Sequence, residues 1–482
     1  MARRGVVRKM ALLEMLAESE VERLHEATLK VLWETGVRFE SEWALDFLAS
    51  NGCRVDRDTH RVHFSRDVVE VCLARAPRTF GVKAPKPEND LVLGGEGIYF
   101  THSSGMETVD LKTFEPRVAT LKEYIDCVRV LDALETVDLL GAYPFFGYEG
   151  TSPPMAIPEG VALKMRYSGK HQMEGCSNDN EIFTIQMAQA TGQEITGIVG
   201  YSAPLMWGRE AIDGARRMVE AGFHLTTVDG CVRGGSAPVT IAGEIVISNA
   251  AHLSMIVLTQ LLRPGHRISV GHFSLPMNMS TGAPAFGQID SSISNVVFNQ
   301  VWRWYGIPFS NGSPGYVNSK VMDFQAGYEK MAAAMLAALS GAGFILLHLG
   351  VSGEITAHPL QAILDEDVAG MIGRFLAGEE VTDDTIALDL IAEVGPLPGH
   401  YMDKRHTIKW WRKEQYVPEA ADRLSYPQWL SGERKVALNY ARERMETLLS
   451  GEPQSLLTDG QEEDLRRILA EARAFFAKRE GR

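Results

Sequence analysis

The chain has 482 residues, 45% of them hydrophobic and 23% charged, the composition of a large globular enzyme or receptor with a substantial core. A formal net charge of −14 argues against a nucleic-acid partner, which needs clustered Lys and Arg. The five cysteines, Cys53, Cys72, Cys127, Cys176 and Cys231, are scattered without CxxC or finger spacing. Neither a disulfide framework nor a structural zinc site is implied, and a reduced, cytoplasmic protein is expected.

The opening "MARRGVVRKMALLEMLAESEVERL" runs directly into an amphipathic helical pattern and reads as a helix, not a signal peptide. No run of about 18 apolar residues occurs, so no membrane span is expected. Helical spacing continues through residues 11–50, with Gly36 where a C-cap would stand. Residues 80–118, including "DLVLGGEGIYFT" and "METVDLKTFEPRVAT", are strand-like between Gly and Pro breaks. Residues 1–118 are therefore expected to form an N-terminal α+β extension.

From residue 119 strands and helices alternate. The strand-like segments are "VDLLGAYPFFG", "GKHQMEGC", "TGIVGYSAPL", "GFHLTTVDG", "HRISVGHFS", "IPFSNGS" and "GFILLHLG". Alternation of this kind implies a parallel sheet, and seven strands over roughly 230 residues fit a (β/α)8 TIM-type barrel over 119–400 better than a doubly wound sheet. The eighth strand has no clear place. Residues 401–482 read as an irregular segment followed by helices packing on the barrel. No GxGxxG after the first strand, P-loop or GxSxG elbow is present, which removes the usual nucleotide and serine-hydrolase readings.

In such a barrel the reactive groups gather at the C-terminal ends of strands. Those positions hold Tyr143, Phe145, Phe146, Tyr148 and Glu149, then His171, Gln172 and Glu174, then Tyr201, Met206 and Trp207. Further along come Thr227 and Asp229, His272, Phe273, Met277, Asn278 and Met279, then Asn311, Tyr316 and His348. Ring faces, methionines and a few carboxylates suit a cation that has no proton to donate, such as a quaternary ammonium. Any one of these aromatics is more often core filling; the group as a whole points to a ligand. His171, His272 and His348 are of a type to bind zinc, but no HxH or HxxxE spacing supports it, and no metal is expected.

The segment "NSKVMDFQAGYEK" resembles the D-S-K…D-x-Q-A-G-Y-E-K motif of the trimethylamine methyltransferase family. "APVTIAGEIVISNAAHLSMIVLTQLLRPG", "MSTGAPAFG" and the C-terminal "AEVGPLPGHYMDKRHTIKWWRKEQYVPEAADRLSYPQW" are similar to further motifs of that family in the same order. The resemblance spans nearly the whole chain. It departs at Asn318, where Asp is usual, at Met322, where Pro is usual, and in "LHLGVSGEITAHP".

The resemblance implies a (β/α)8 barrel with an N-terminal extension. It also implies methyl transfer from a methylated amine to Co(I) of a corrinoid (cobalamin) carried by a separate small corrinoid-binding protein. All residues here are standard, so a glycine betaine-like quaternary amine is expected rather than the pyrrolysine chemistry of the trimethylamine enzymes. A quaternary ammonium leaves as a neutral tertiary amine and needs no acid, so positioning and desolvation suffice. The expected cage is Tyr99, Phe100, Phe145, Tyr148, Trp207, Phe273 and Tyr316. His348, with His272 and Asn278 behind it, would bind a substrate carboxylate, and no side-chain acid or base is expected. Lys320, Asp323 and Gln325 would shape the mouth or the docking face, although Asp323 also suits an N-cap. A homo-oligomer is expected. The competing readings are a non-catalytic quaternary-amine-binding protein and a metal-dependent barrel lyase or hydrolase.

Overall fold

The structure is a computed structural model and describes residues 5–479 and 481. Eight parallel strands follow one another: β1 Gly97–His102, β2 Leu139–Leu140, β3 His171–Gly175, β4 Ile195–Gly200, β5 His224–Val228, β6 Ile268–His272, β7 Phe309–Asn311 and β8 Phe344–His348. Each of the seven strand-like segments after residue 119 overlaps one of them. The eighth, β1, comes from "EGIYFT" in the segment read as an N-terminal extension. It pairs in parallel with β8, Phe344 opposite Tyr99 and Leu346 opposite Thr101.

Val6–Val7 adds a ninth, antiparallel strand against the start of β1. The spatial order is Val6–Val7, β1, β8, β7, β6, β5, β4, β3, β2. The sheet curls, but its ladder stays open between β1 and β2, which corrects the expectation of a closed barrel. At that seam side chains take part. The Asp138 N–H donates to Phe100 O (2.8 Å), the Phe100 N–H to Asp138 Oδ2 (2.8 Å) and the Thr101 hydroxyl to Leu139 O (2.8 Å).

Helices cover the outside of the sheet. Those that bear on the site are α1 Ala156–Tyr167, α2 Ile241–Leu262, α3 Ile289–Tyr305 and α4 Phe324–Leu339. α2 is apolar on every side and long enough to cross a membrane by composition, yet most of it is buried in the core, as a helix packed on several faces must be. Ala333, Ala334, Ala337 and Ala338 of α4 are buried, and side chains of this size let the helix approach its neighbours closely.

The inside of the sheet is closed at its N-terminal end by the hairpin Phe80–Val82 and Leu91–Leu93. These residues form one apolar cluster with Tyr99, Leu139, Met173 and Phe344. The C-terminal end stays open. The five cysteines are buried thiols.

Candidate active site

A cavity of about 320 Å³ opens at the C-terminal end of the sheet. Strand side chains point alternately to the two faces, and the cavity wall takes alternate residues: Met173 and Gly175 from β3, Thr226 and Val228 from β5, Phe344 and Leu346 from β8. Phe273 just beyond β6 keeps that alternation, and Ile198, Ser310 and Thr101 complete the wall. The upper part holds Tyr143, Phe273, Tyr316 and Glu354.

Tyr316 and Phe273 meet edge to face, centroids 5.0 Å apart, and Phe286 stands 6.1 Å from Tyr316. The Tyr316 hydroxyl accepts the Ser104 N–H at 3.1 Å. Burial raises both tyrosine pKa values; Tyr143 reaches about 12, with Glu174 and Glu354 adding to the effect. Both rings therefore stay neutral.

Glu354 hangs over the cavity from the connection that follows β8. Gly353 before it has φ 63°, and a Cβ there would sit 2.7 Å from the Phe286 ring, so only glycine fits this turn. Ser352 (φ 58°) shares the left-handed geometry, which a non-glycine residue adopts only at a cost. The Glu354 side chain is accessible from the mouth. Desolvation is nevertheless the cause that raises its pKa above the usual glutamate value. The chain thus offers a carboxylate at the edge of an aromatic, largely dry space.

The residues singled out in the sequence are distributed as follows. Phe273 and Tyr316 line the cavity. Tyr99 belongs to the apolar closure at the other end. Phe100 is buried in the core and meets the His348 ring edge-on at 6.4 Å. Phe145 packs on Tyr124, and the Tyr148 hydroxyl donates to Glu159 at 3.3 Å. Trp207 is in the main core, its indole N–H donating to Ser254 Oγ at 3.0 Å. Asn278 is exposed and holds its own turn by accepting from the Ser280 hydroxyl at 2.7 Å.

His348 donates from Nδ1 to Thr101 O (3.4 Å) and meets Thr136 Oγ1 through Nε2 (3.0 Å). Burial and Lys330 lower its pKa to about 3, so it is neutral. His171 likewise engages Lys83 O and Thr196 Oγ1, each at 2.7 Å.

His272 backs the cavity wall with its ring turned to the helices, stacked on Phe298 of α3 at 4.3 Å. Nδ1 bonds Asp229 Oδ2 (2.7 Å) and Nε2 bonds Ser294 Oγ (3.1 Å). Ser294 gives its own proton to Glu244 (2.6 Å), so it accepts from His272, and both ring nitrogens carry protons. The pKa follows: burial opposes the charge, but Asp229 and Glu244 outweigh it and raise His272. Asp229, Glu244 and His272 have ligating atoms within 4.8 Å of one another, the donor types of a metal site. Here they form a hydrogen-bonded chain, further satisfied by the Ser248 and Ser274 hydroxyls.

The polar cluster before α4 is a brace. Asp323 caps the helix, accepting from the Ala326 N–H (3.1 Å) and the Ser319 hydroxyl (2.8 Å). Gln325 donates to Glu329 (2.7 Å), whose other oxygen accepts the Asn318 N–H (2.8 Å). Lys320 is exposed and donates to Asn318 Oδ1 at 3.0 Å.

Sequence reading missed Glu354, which lies in the connection "VSGEITA" with no motif around it, and, Met279 apart, the exposed apolar residues that follow the strands' C-terminal ends. Met106, Val239, Met279, Phe324, Tyr328 and Ile355 are all exposed, Phe324 at 85% and Met279 at 74%. Each lies in a connection leaving a strand's C-terminal end or in the first turns of the following helix.

An open-ended, curled parallel sheet with a ligand-sized cavity at its C-terminal end defines the α/β, TIM-like class. The chain belongs to the Trimethylamine methyltransferase (MTTB) family, which it matches over residues 1–477. It is 29% identical to a glycine betaine methyltransferase of Desulfitobacterium hafniense (strain Y51), covering 90% of this chain and 89% of that one. It is 27% identical to a proline betaine:corrinoid methyltransferase of Eubacterium limosum, covering 95% and 97% respectively. Its fold is similar to that of the Methanosarcina barkeri monomethylamine methyltransferase, with a TM-score of 0.54 at 13% identity, over 91% of this chain and 89% of that one.

Proposed function

We propose that this chain is a methyltransferase that takes a methyl group from a methylated ammonium ion, held in the cavity, to a corrinoid carried by a small partner protein. The carrying observation is the cavity itself: Tyr143, Phe273 and Tyr316 around a space of about 320 Å³ with Glu354 at its mouth. A quaternary ammonium is attracted by ring faces and a carboxylate without any hydrogen bond. The exposed apolar rim fits a flat, largely apolar macrocycle presented by a docking protein, and family membership supports that partner.

A bound corrinoid supplies the nucleophile for the methyl group. The chain's residues supply the rest. The rings orient the ammonium and exclude water from it, and Glu354 balances its charge. As the N–CH3 bond breaks, its electron pair stays on nitrogen and the amine leaves neutral, so no proton moves. His272, whose ring nitrogens are taken by Asp229 and Ser294, and His348, committed to Thr101 and Thr136, are not needed as acid or base. Catalysis is then by positioning and desolvation.

The test is methylation of chemically reduced cob(I)alamin, alone and on a cognate corrinoid protein, followed by absorbance with a series of methylated amines. Methyl transfer from one of them supports the reading. Saturable binding of an amine without transfer to either acceptor would make the chain a non-catalytic receptor.

A further inference from the structure

We propose that the cavity selects a cation carrying no anionic group of its own, that Glu354 is the selecting residue, and that betaines are poor ligands of this chain. The inference rests on the reading of the cavity as the methyl-donor site. It departs from the betaines named for the two relatives above.

The ground is charge. Among the described residues that line the cavity there is no lysine or arginine. Two lysines behind the wall, Lys164 and Lys330, are spent. Lys164 Nζ faces Gly141 O, Met173 O and Glu174 Oε2, each at 3.0 Å, and Ala142 O besides. Lys330 Nζ faces Gly315 O (3.2 Å), Leu347 O (2.5 Å) and Asp365 Oδ2 (3.0 Å). An ammonium has three protons, so neither has one to spare for a ligand. The His272 charge is met by Asp229 and, through Ser294, by Glu244.

Glu354 is different. No ion pair involves it among the described residues, and burial is what raises its pKa. A zwitterion could place its ammonium here. Its carboxylate would then be left with hydroxyl donors such as Tyr143 and Tyr316, in a cavity whose lining already holds Glu354 and the His272-paired Asp229. The chain then offers the ligand's carboxylate no cation of its own, and only the ligand's single ammonium offsets both it and Glu354, which is disfavoured away from water. A hydroxylated or purely alkylated ammonium meets no such penalty.

The test is isothermal titration calorimetry of the full chain at neutral pH with tetramethylammonium, choline and glycine betaine, repeated on Glu354→Gln. The two plain cations are expected to bind at least about tenfold more tightly than the betaine. In Glu354→Gln, with circular dichroism unchanged, they lose about tenfold while the betaine changes little, so the gap closes. Glycine betaine binding as tightly as choline to the unaltered chain overturns the proposal, as does a gap that Glu354→Gln leaves intact; both leave the methyl-donor cavity standing. Binding of none of the three removes that cavity reading as well.

Discussion

Lys164→Met and Glu174→Gln break the same ion pair and are expected to differ widely in cost. Lys164 and Glu174 are both buried, Nζ to Oε2 3.0 Å, and burial is the first cause of both pKa shifts, Lys164 lowered and Glu174 raised. Removing one partner of such a pair costs about 3–5 kcal/mol, because the other charge is left buried and unmet. Lys164→Met incurs this in full. It also strips the hydrogen bond from Gly141 O, Ala142 O and Met173 O, so the upper end of that range is expected. Glu174→Gln leaves the ammonium with those three carbonyls and an amide oxygen, and its cost is that of weakening one charge-assisted hydrogen bond, about 1–2 kcal/mol. The assay is urea denaturation of the full chain followed in parallel by tryptophan fluorescence and far-ultraviolet circular dichroism. A shift for Lys164→Met at least about twice that for Glu174→Gln is expected. Equal shifts would refute the reasoning, since the carbonyl cradle would then carry none of the charge.

Three further outcomes are expected. The raised Glu354 carboxyl binds its proton at a higher pH than a free glutamate, so affinity for a cation should fall as pH drops through a midpoint above 4.5; titration calorimetry across pH checks this, and Glu354→Gln should abolish the step. His348, neutral and depressed to about 3, binds fewer protons folded than unfolded between that value and 6.5. Its contribution to stability is therefore complete above about pH 6.5 and is lost as pH falls toward 3, readable as the decline of the urea midpoint with acid. Asp323→Ala removes the cap of α4 and should cost about 1 kcal/mol of stability while leaving KM for the amine unchanged; a large rise in KM would instead make Asp323 part of the site.

Periodicity and breakers made the seven later strands legible, because each is a short apolar run between a helical pattern and a turn. β1 was hidden by its surroundings: "EGIYFT" sits among genuine hairpin strands such as Leu91–Leu93, and nothing local distinguishes a strand that will pair with β8. Parity was hidden for a related reason. Strands of a parallel sheet are buried on both faces, so sequence cannot say which of His272 and Phe273 faces inward; the fold turns Phe273 to the cavity and His272 to α3. Of the aromatics read from the sequence as the cage, Phe273 and Tyr316 line the cavity. Glu354 was not legible, because its place depends on the Ser352–Gly353 turn and on no neighbouring motif.

The pairing of β1 with β8 ties together the two neighbouring strands of the sheet that synthesis separates most. Phe100 leaves the ribosome early and Ile345, its partner in the ladder, emerges about 245 residues later, on the order of tens of seconds at ordinary elongation rates. Throughout that interval the Gly97–His102 strand has an exposed, apolar, unpaired edge. The residues before it, Val6–Val7, already cover one side, and the charged helix Glu18–Lys30 precedes it. The early segment is thus best understood as an unfinished wall that must be kept soluble until the last strand closes on it. Truncations ending before Phe344 should be chaperone clients rather than stable fragments.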